Sequence, residues 1–200
     1  MCQLIWLEEQ TGRIVGYGEK IETHKIGQYH CAFSLFIFDR GNKRMLIQKR
    51  SKAKYHSGGL LSNSCCSHLY KGESWREALA RCIYDELGVF PAFDENTLHK
   101  DGMSDSGEKK GIFMPRLAGA FSYKSIVGEL IENEEDHVFV YYPSKSFLQG
   151  IRPQQKEVEE IYFWTLDEID CMLSEAPDRF TPWFAKAYAI AKQSIFRDST

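Results

Sequence analysis

Two apolar patterns alternate along this chain. Short runs rich in aromatic and β-branched residues at 31–38, 44–49, 137–142 and 160–164 predict strands. Asp39-Arg-Gly-Asn-Lys43 lies between the first two and predicts a hairpin turn. Apolar residues at helical spacing predict three helices. The first opens on Ser74-Trp-Arg-Glu77, a capping box, and runs to Leu87, where Gly88 supplies the left-handed stop. Thr165-Leu-Asp-Glu168 repeats the device for a short helix to about Ser174. Thr181-Pro182 reads as an N-cap with proline at the first helical position, opening a helix to about residue 196. Segment 100–112 is polar and glycine-bearing, so it reads as a surface loop rather than a linker. No internal repeat or low-complexity tract interrupts the pattern. Strands mixed with helices in this order predict an α+β or three-layer fold rather than a bundle.

Composition narrows this picture. A chain of 200 residues, 43% hydrophobic and 26% charged, predicts one globular domain with appended elements. The net charge of −3 leaves no basic excess for a phosphate backbone, so nucleic acid is not expected as a partner. The longest apolar runs fall far below the ~20 residues of a membrane helix, and the N-terminus reads as no secretion signal. A cytoplasmic, monomeric protein is expected. Six cysteines, at 2, 31, 65, 66, 82 and 171, form no disulfide or zinc framework, so reduced thiols are expected, one of them reactive.

Several polar residues sit where apolar ones belong. On the first helix the apolar stripe is Trp75, Ala78, Leu79, Cys82 and Ile83, and Glu86 falls near its middle. A carboxylate in an apolar layer must be paired, protonated or bound to a cation, and an arginine in the core would serve as well as a metal. His24, His30 and His68 stand among small or apolar residues, where a hydrogen-bonded structural histidine is the ordinary alternative to a ligand. Glu132 and Glu134 are two apart in an extended segment, so both carboxylates aim to one side; with Glu135 and Asp136 following, a solvated acidic run would look similar. Brought together, the imidazoles and carboxylates would make a mixed nitrogen–oxygen site for Mn²⁺, Zn²⁺ or a similar ion. Segment 54–68 is more specific. Gly58-Gly59 lets the backbone pass close to a ligand, Asn63 and Ser64 offer polar contacts, and Arg50 and Lys54 offer charge to an anion. Cys66, two residues before His68, is either a thiol beside that site or a small buried hydrophobe.

These motifs are Tyr55-His-Ser-Gly-Gly59, Asn63-Ser-Cys-Cys-Ser-His68, Gly72-Glu73, Tyr84-Asp-Glu-Leu-Gly88, Glu132-Asn-Glu134 and Phe180-Thr-Pro-Trp183. In this order the chain, from about Lys20 to Trp183, resembles the type 1 isopentenyl diphosphate isomerases, relatives of the Nudix hydrolases. The resemblance implies a Nudix-like α/β/α sandwich with a mixed sheet: a single domain with a core at about 20–185 and extensions at both ends. It also implies interconversion of isopentenyl and dimethylallyl diphosphate through a tertiary carbocation. In the Nudix pattern Glu73 and Arg81 fit and Asp85-Glu86 supply the acidic pair, but Ser67 stands at the first glycine and Cys82 replaces a glutamate. Those losses weigh against the alternative, a metal-dependent diphosphate hydrolase. Residue by residue, the resemblance implies His24, His30, His68, Glu132 and Glu134 as ligands of a divalent ion. It implies Cys66 and Glu134, assisted by Tyr123, as the acid–base pair. Glu86, with the backbone of Cys66, would hold the Mg²⁺ that accompanies the diphosphate. Lys20, Arg50, Lys54 and Arg81 would contact the diphosphate, and Trp183 would face the hydrocarbon end. Leu61 stands where many members carry tryptophan, which bears on pocket shape.

Overall fold

The computed structural model describes residues 3–9, 13–92 and 113–197. The segment expected to form the loop at 100–112 lies outside them. Nine strands form one curled, mixed sheet: β1 Leu4–Glu8, β2 Ile14–Glu19, β3 His30–Asp39, β4 Arg44–Arg50, β5 Leu61–Ser62, β6 Cys65–His68, β7 Arg116–Val127, β8 Leu130–Tyr141 and β9 Val158–Thr165. Five α-helices accompany them among the described residues: α1 Lys20–Ile26, α2 Trp75–Leu87, α3 Lys145–Gly150, α4 Leu166–Glu175 and α5 Phe184–Arg197.

β3 is the central strand. Its nine residues His30–Phe38 are all buried, as expected of a near-continuous apolar run covered on both faces. Ala32–Leu35 pair in antiparallel fashion with β6 on one edge and in parallel with β8 on the other. Phe33, Leu35 and Ile37 pack with Leu79, Ile83 and Phe147 on the side of α2 and α3. Phe36 and Phe38 pack with Ile169, Phe184 and Tyr188 on the side of α4 and α5. The alternation of a strand thus yields two cores and an α/β/α sandwich.

The capped helices form as their sequences predict. Ser74 and Glu77 bond reciprocally, Gly88 takes φ 64°, and Thr165 caps α4 through Glu168. α5 starts two residues later than the proline signal suggests. Thr181 is held by the sheet, its amide donating to the Leu61 carbonyl (2.9 Å) and its hydroxyl lying 3.2 Å from that of Ser62. Residues 182–183 form a turn before the helix. Glu132 and Glu134 lie inside β8, which begins seven residues earlier than its apolar run suggests, because β7 pairs with it along almost its whole length. The predicted elements omit β1, β2, β5, β6, β7, α1 and α3, although β1 carries the short apolar run Leu4–Leu7.

Candidate active site

Sheet register builds most of the site on one face of β3. Across its antiparallel pairs Ser34 faces Cys66 and Ala32 faces His68, while His30 is the parallel partner of Glu134. Tyr123 on β7 stands opposite Glu134. Alternation along β8 adds Glu132 and Asp136 to the same face. α1 then brings His24 over the sheet; its N-terminus is capped by the Glu19 side chain accepting from the Glu22 amide (2.9 Å).

His24, His30, His68 and Glu134 are all buried, and one ligand atom from each lies within 4.8 Å of the others. The Nε2 atoms of His68, His30 and His24 stand 3.1, 3.2 and 3.7 Å from Glu134 Oε1. The Nδ1 atoms of His24 and His30 face the carbonyls of Lys20 (2.6 Å) and Gln28 (2.8 Å). A carbonyl only accepts, so each Nδ1 carries the proton, and in the neutral ring Nε2 presents a lone pair. Burial pushes His68 well down, which keeps it neutral. Burial raises Glu134, but the three histidines gathered at its Oε1 outweigh it and hold the carboxylate well below its usual range. Imidazole nitrogens converging on a carboxylate oxygen suit a divalent cation between them, and three nitrogens with one oxygen fit the donor preference of zinc- and manganese-class ions. The cluster can therefore bind a metal.

Glu132 stands beside this group rather than in it. Its Oε2 accepts from Tyr123 (2.8 Å) and its Oε1 lies 3.1 Å from His56 Nε2. The same Tyr123 hydroxyl is 2.6 Å from Glu134 Oε2. One phenolic proton is shared between two carboxylates, an arrangement that favours a second proton on the pair. Burial and the nearby Glu134 push Glu132 well up and place that proton there. The Tyr123 phenol also stays protonated, raised by burial and by Glu134.

These residues open on a cavity of about 920 Å³ that Cys66, Tyr123, Glu132, Glu134, Glu86 and Trp183 help to line. Lys20, Arg50, Lys54 and Arg81 also line it. Burial and then the charges of Lys54 and Arg81 push Lys20 down, the mark of cations gathered where an anion is to be met. Arg81 donates to both Glu73 oxygens (2.6 and 3.0 Å), and Lys54 pairs with Glu157 and lies 3.8 Å from Glu86. Glu86 is buried and accepts from Gln48 (2.9 Å), which answers how a carboxylate tolerates the apolar stripe. Burial raises the Glu86 carboxyl, and the Lys54 and Arg50 charges oppose it. Arg50 donates to Cys66 Sγ (3.3 Å), yet burial prevails over that cation and holds Cys66 as a thiol. The Trp183 ring ties the parts together. It lies 5.4 Å from the Arg50 guanidinium and 6.2 Å from the Tyr123 ring, and its Nε1 donates to Asn63 Oδ1 (3.0 Å).

Some expected ligand contacts turn out to serve the fold. Asn63 orients Trp183 from a fully buried position, and Ser64 bridges the Ile37 amide (2.8 Å) and the Leu46 carbonyl (2.6 Å). Gly58 sits tightly in its own loop, where a Cβ would stand 3.1 Å from the Ser51 and Lys52 carbonyl oxygens. Leu61 packs in the core and lies outside the cavity lining. His56 and Asp136 were missed. Asp136 lies on the alternation that gives Glu132 and Glu134, so the same rule finds it; His56 sits in an aperiodic loop that offers no such signal.

Comparison with known proteins accords with this arrangement. Residues 28–184 match the NUDIX domain. Isopentenyl-diphosphate Delta-isomerase of Serratia proteamaculans is 33% identical over 188 residues, covering 92% of this chain and 88% of its own. This chain belongs to the isopentenyl-diphosphate Delta-isomerase family. The isomerase of Photobacterium profundum is 30% identical over 181 residues, covering 89% of this chain and 88% of its own. Among solved structures, a protein of Deinococcus radiodurans superposes with a TM-score of 0.60 at 13% identity, covering 86% of this chain and 90% of its own. The MutT protein of Methanosarcina mazei gives 0.56 at 14% identity, covering 86% and 96%. These structures share the Nudix fold with the isomerase family. No helix among the described residues is long and apolar enough to cross a membrane.

Proposed function

We infer that this chain interconverts isopentenyl diphosphate and dimethylallyl diphosphate, the activity for which its relatives are named. The observation that supports this mechanism is that Cys66 and Glu134 line one cavity with Trp183, each through a neighbour that lies near its ring. Cys66 comes from β6 and Glu134 from β8, the strands on opposite edges of β3. Trp183 adjoins Arg50, the partner of Cys66, and Tyr123, the partner of Glu134.

Moving the double bond requires a proton to be added at one carbon and another removed two carbons away, so a donor and an acceptor must serve one flat chain. The Cys66 thiol donates one proton, leaving a thiolate beside the Arg50 guanidinium, and the Glu134 carboxylate, hydrogen-bonded by Tyr123, accepts the other. Protonation of the alkene leaves a tertiary cation, and loss of a proton from the neighbouring carbon closes the cycle with no net change in protons. Trp183 offers its face to that cation, worth ~2 kcal/mol where the ring is desolvated. A divalent ion of the manganese or zinc class, held by His24, His30, His68 and Glu134 with Glu132 adjoining, would supply charge that fixes the Glu134 carboxylate. Lys20, Arg50, Lys54 and Arg81 grip the diphosphate, and Glu86 would accept the Mg²⁺ that accompanies it.

Incubation with isopentenyl diphosphate and Mg²⁺ in deuterated water, followed by NMR, tests the reading. Deuterium should enter the prenyl chain as dimethylallyl diphosphate forms, without phosphate release. Release of phosphate without deuterium exchange would instead indicate hydrolysis.

A further inference from the structure

The face of the sheet turned away from the cavity carries a second group of ligating side chains. Cys31 follows His30 on β3, so the two point to opposite sides. His137 is the parallel partner of Phe33, which puts it on the Cys31 side, near α2. Glu8 ends β1 and joins them through the Leu7–His30 pairing of β1 with β3. One ligand atom of each of Glu8, Cys31 and His137 lies within 4.8 Å of the others, and His137 Nε2 is 3.5 Å from Glu8 Oε2. None of the three lines the cavity.

We propose that Glu8, Cys31 and His137 form a second cation site, for an ion of the zinc class, that clamps β1 to β3 and β8. Two observations carry this beyond proximity. Glu8 is buried, its side chain 2% exposed, and its Oε2 has no hydrogen-bond partner among the described residues, so a carboxylate oxygen points into the group with only the 3.5 Å approach of His137 Nε2 beside it. The donors are one sulfur, one nitrogen and one oxygen, a set that suits Zn²⁺ or Co²⁺ and disfavours Mg²⁺. The His137 side chain is 21% exposed, which leaves an entry path and room for a solvent ligand at the fourth position. On binding, the Cys31 thiol gives its proton to solvent and the sulfur coordinates as thiolate.

Cobalt distinguishes this site from the His/Glu cluster, which contains no sulfur. The metal-depleted full chain, titrated with Co²⁺, should develop a thiolate-to-cobalt charge-transfer band in the near ultraviolet as a second equivalent binds. Cys31→Ser should bring that band to background and remove the second equivalent. His137→Gln, a change at a partly exposed position, should do the same with the far-ultraviolet circular dichroism of the wild type. Cys66→Ser should retain the band. Absence of the band from the wild-type protein, its loss in Cys66→Ser, or its persistence in folded Cys31→Ser or His137→Gln would each overturn the assignment.

Discussion

Cys66, Trp183 and Asp136 each hold a position whose chemistry can be altered without removing the surrounding fold. Cys66 is outside the histidine cluster, so Cys66→Ala should keep the bound metal, measured by elemental analysis, while turnover falls about 10²–10⁴-fold, the usual span of an acid–base group. Normal turnover in a well-folded Cys66→Ala would remove the thiol from the mechanism. Trp183→Leu retains apolar bulk but removes the π face. It should lower kcat by roughly 30-fold with KM little changed, because the ring meets charge that exists mainly in the transition state. Weaker binding at an unaltered rate would instead make Trp183 a simple contact surface. Asp136 accepts from Ser34 (2.8 Å) in a fully buried setting, and burial followed by the charge of Glu134 pushes it up from 3.8 to about 8. The folded protein thus holds a proton that the unfolded chain has released, so the Asp136 contribution to stability is complete below about pH 4 and is lost as pH rises towards 8. In metal-free protein the decline should be on the order of 5 kcal/mol and should flatten in Asp136→Asn, as urea titrations across that range can establish.

Helix α2 carries Arg81 and Glu86 into the cavity, so its ends matter to binding as well as to stability. Ser74→Ala removes the capping bond and should cost about 1 kcal/mol in urea unfolding. Hydrogen bonds from the Ser74 amide and hydroxyl hold Glu77 below its ordinary 4.5. That contribution is complete above the ordinary value and disappears as pH falls through the lower folded one, so the difference between wild type and Ser74→Ala should narrow in acid. At the other end, Gly88 has φ 64°, and a Cβ there would stand 2.2 Å from the Arg152 carbonyl oxygen. Gly88→Ala should therefore destabilise more than the loss of the cap, and by displacing the last turn that bears Glu86 it should also raise KM.

At the scale of the molecule, the histidine cluster ties α1, β3, β6 and β8 at one point. An ion bound there stabilises the folded chain by mass action, about 2.7 kcal/mol at a free concentration one hundred times Kd. Chelation should lower Tm by roughly 5–10 °C in a chain of this length. His24→Ala should show a smaller response to the chelator than the wild-type protein; an equal response in both would place the stabilising ion elsewhere.

Signals carried by a few neighbouring residues were legible in the chain itself. Capping boxes, the apolar strand runs and the misplaced Glu86 depend on contacts three or four residues apart, or on the period of one element, and the motif order identified the family. What gathers the site lies beyond that range. His30 meets Glu134 across 104 positions and Trp183 meets Asn63 across 120, through sheet register and the path of α5. Only those tertiary pairings decided that Glu132 pairs with His56, that burial outweighs Arg50 at the Cys66 sulfur, and that Asn63 and Ser64 serve the scaffold. The physical reason is that spacing records which way a side chain leaves its own element, whereas desolvation and partnership depend on which other elements close over it.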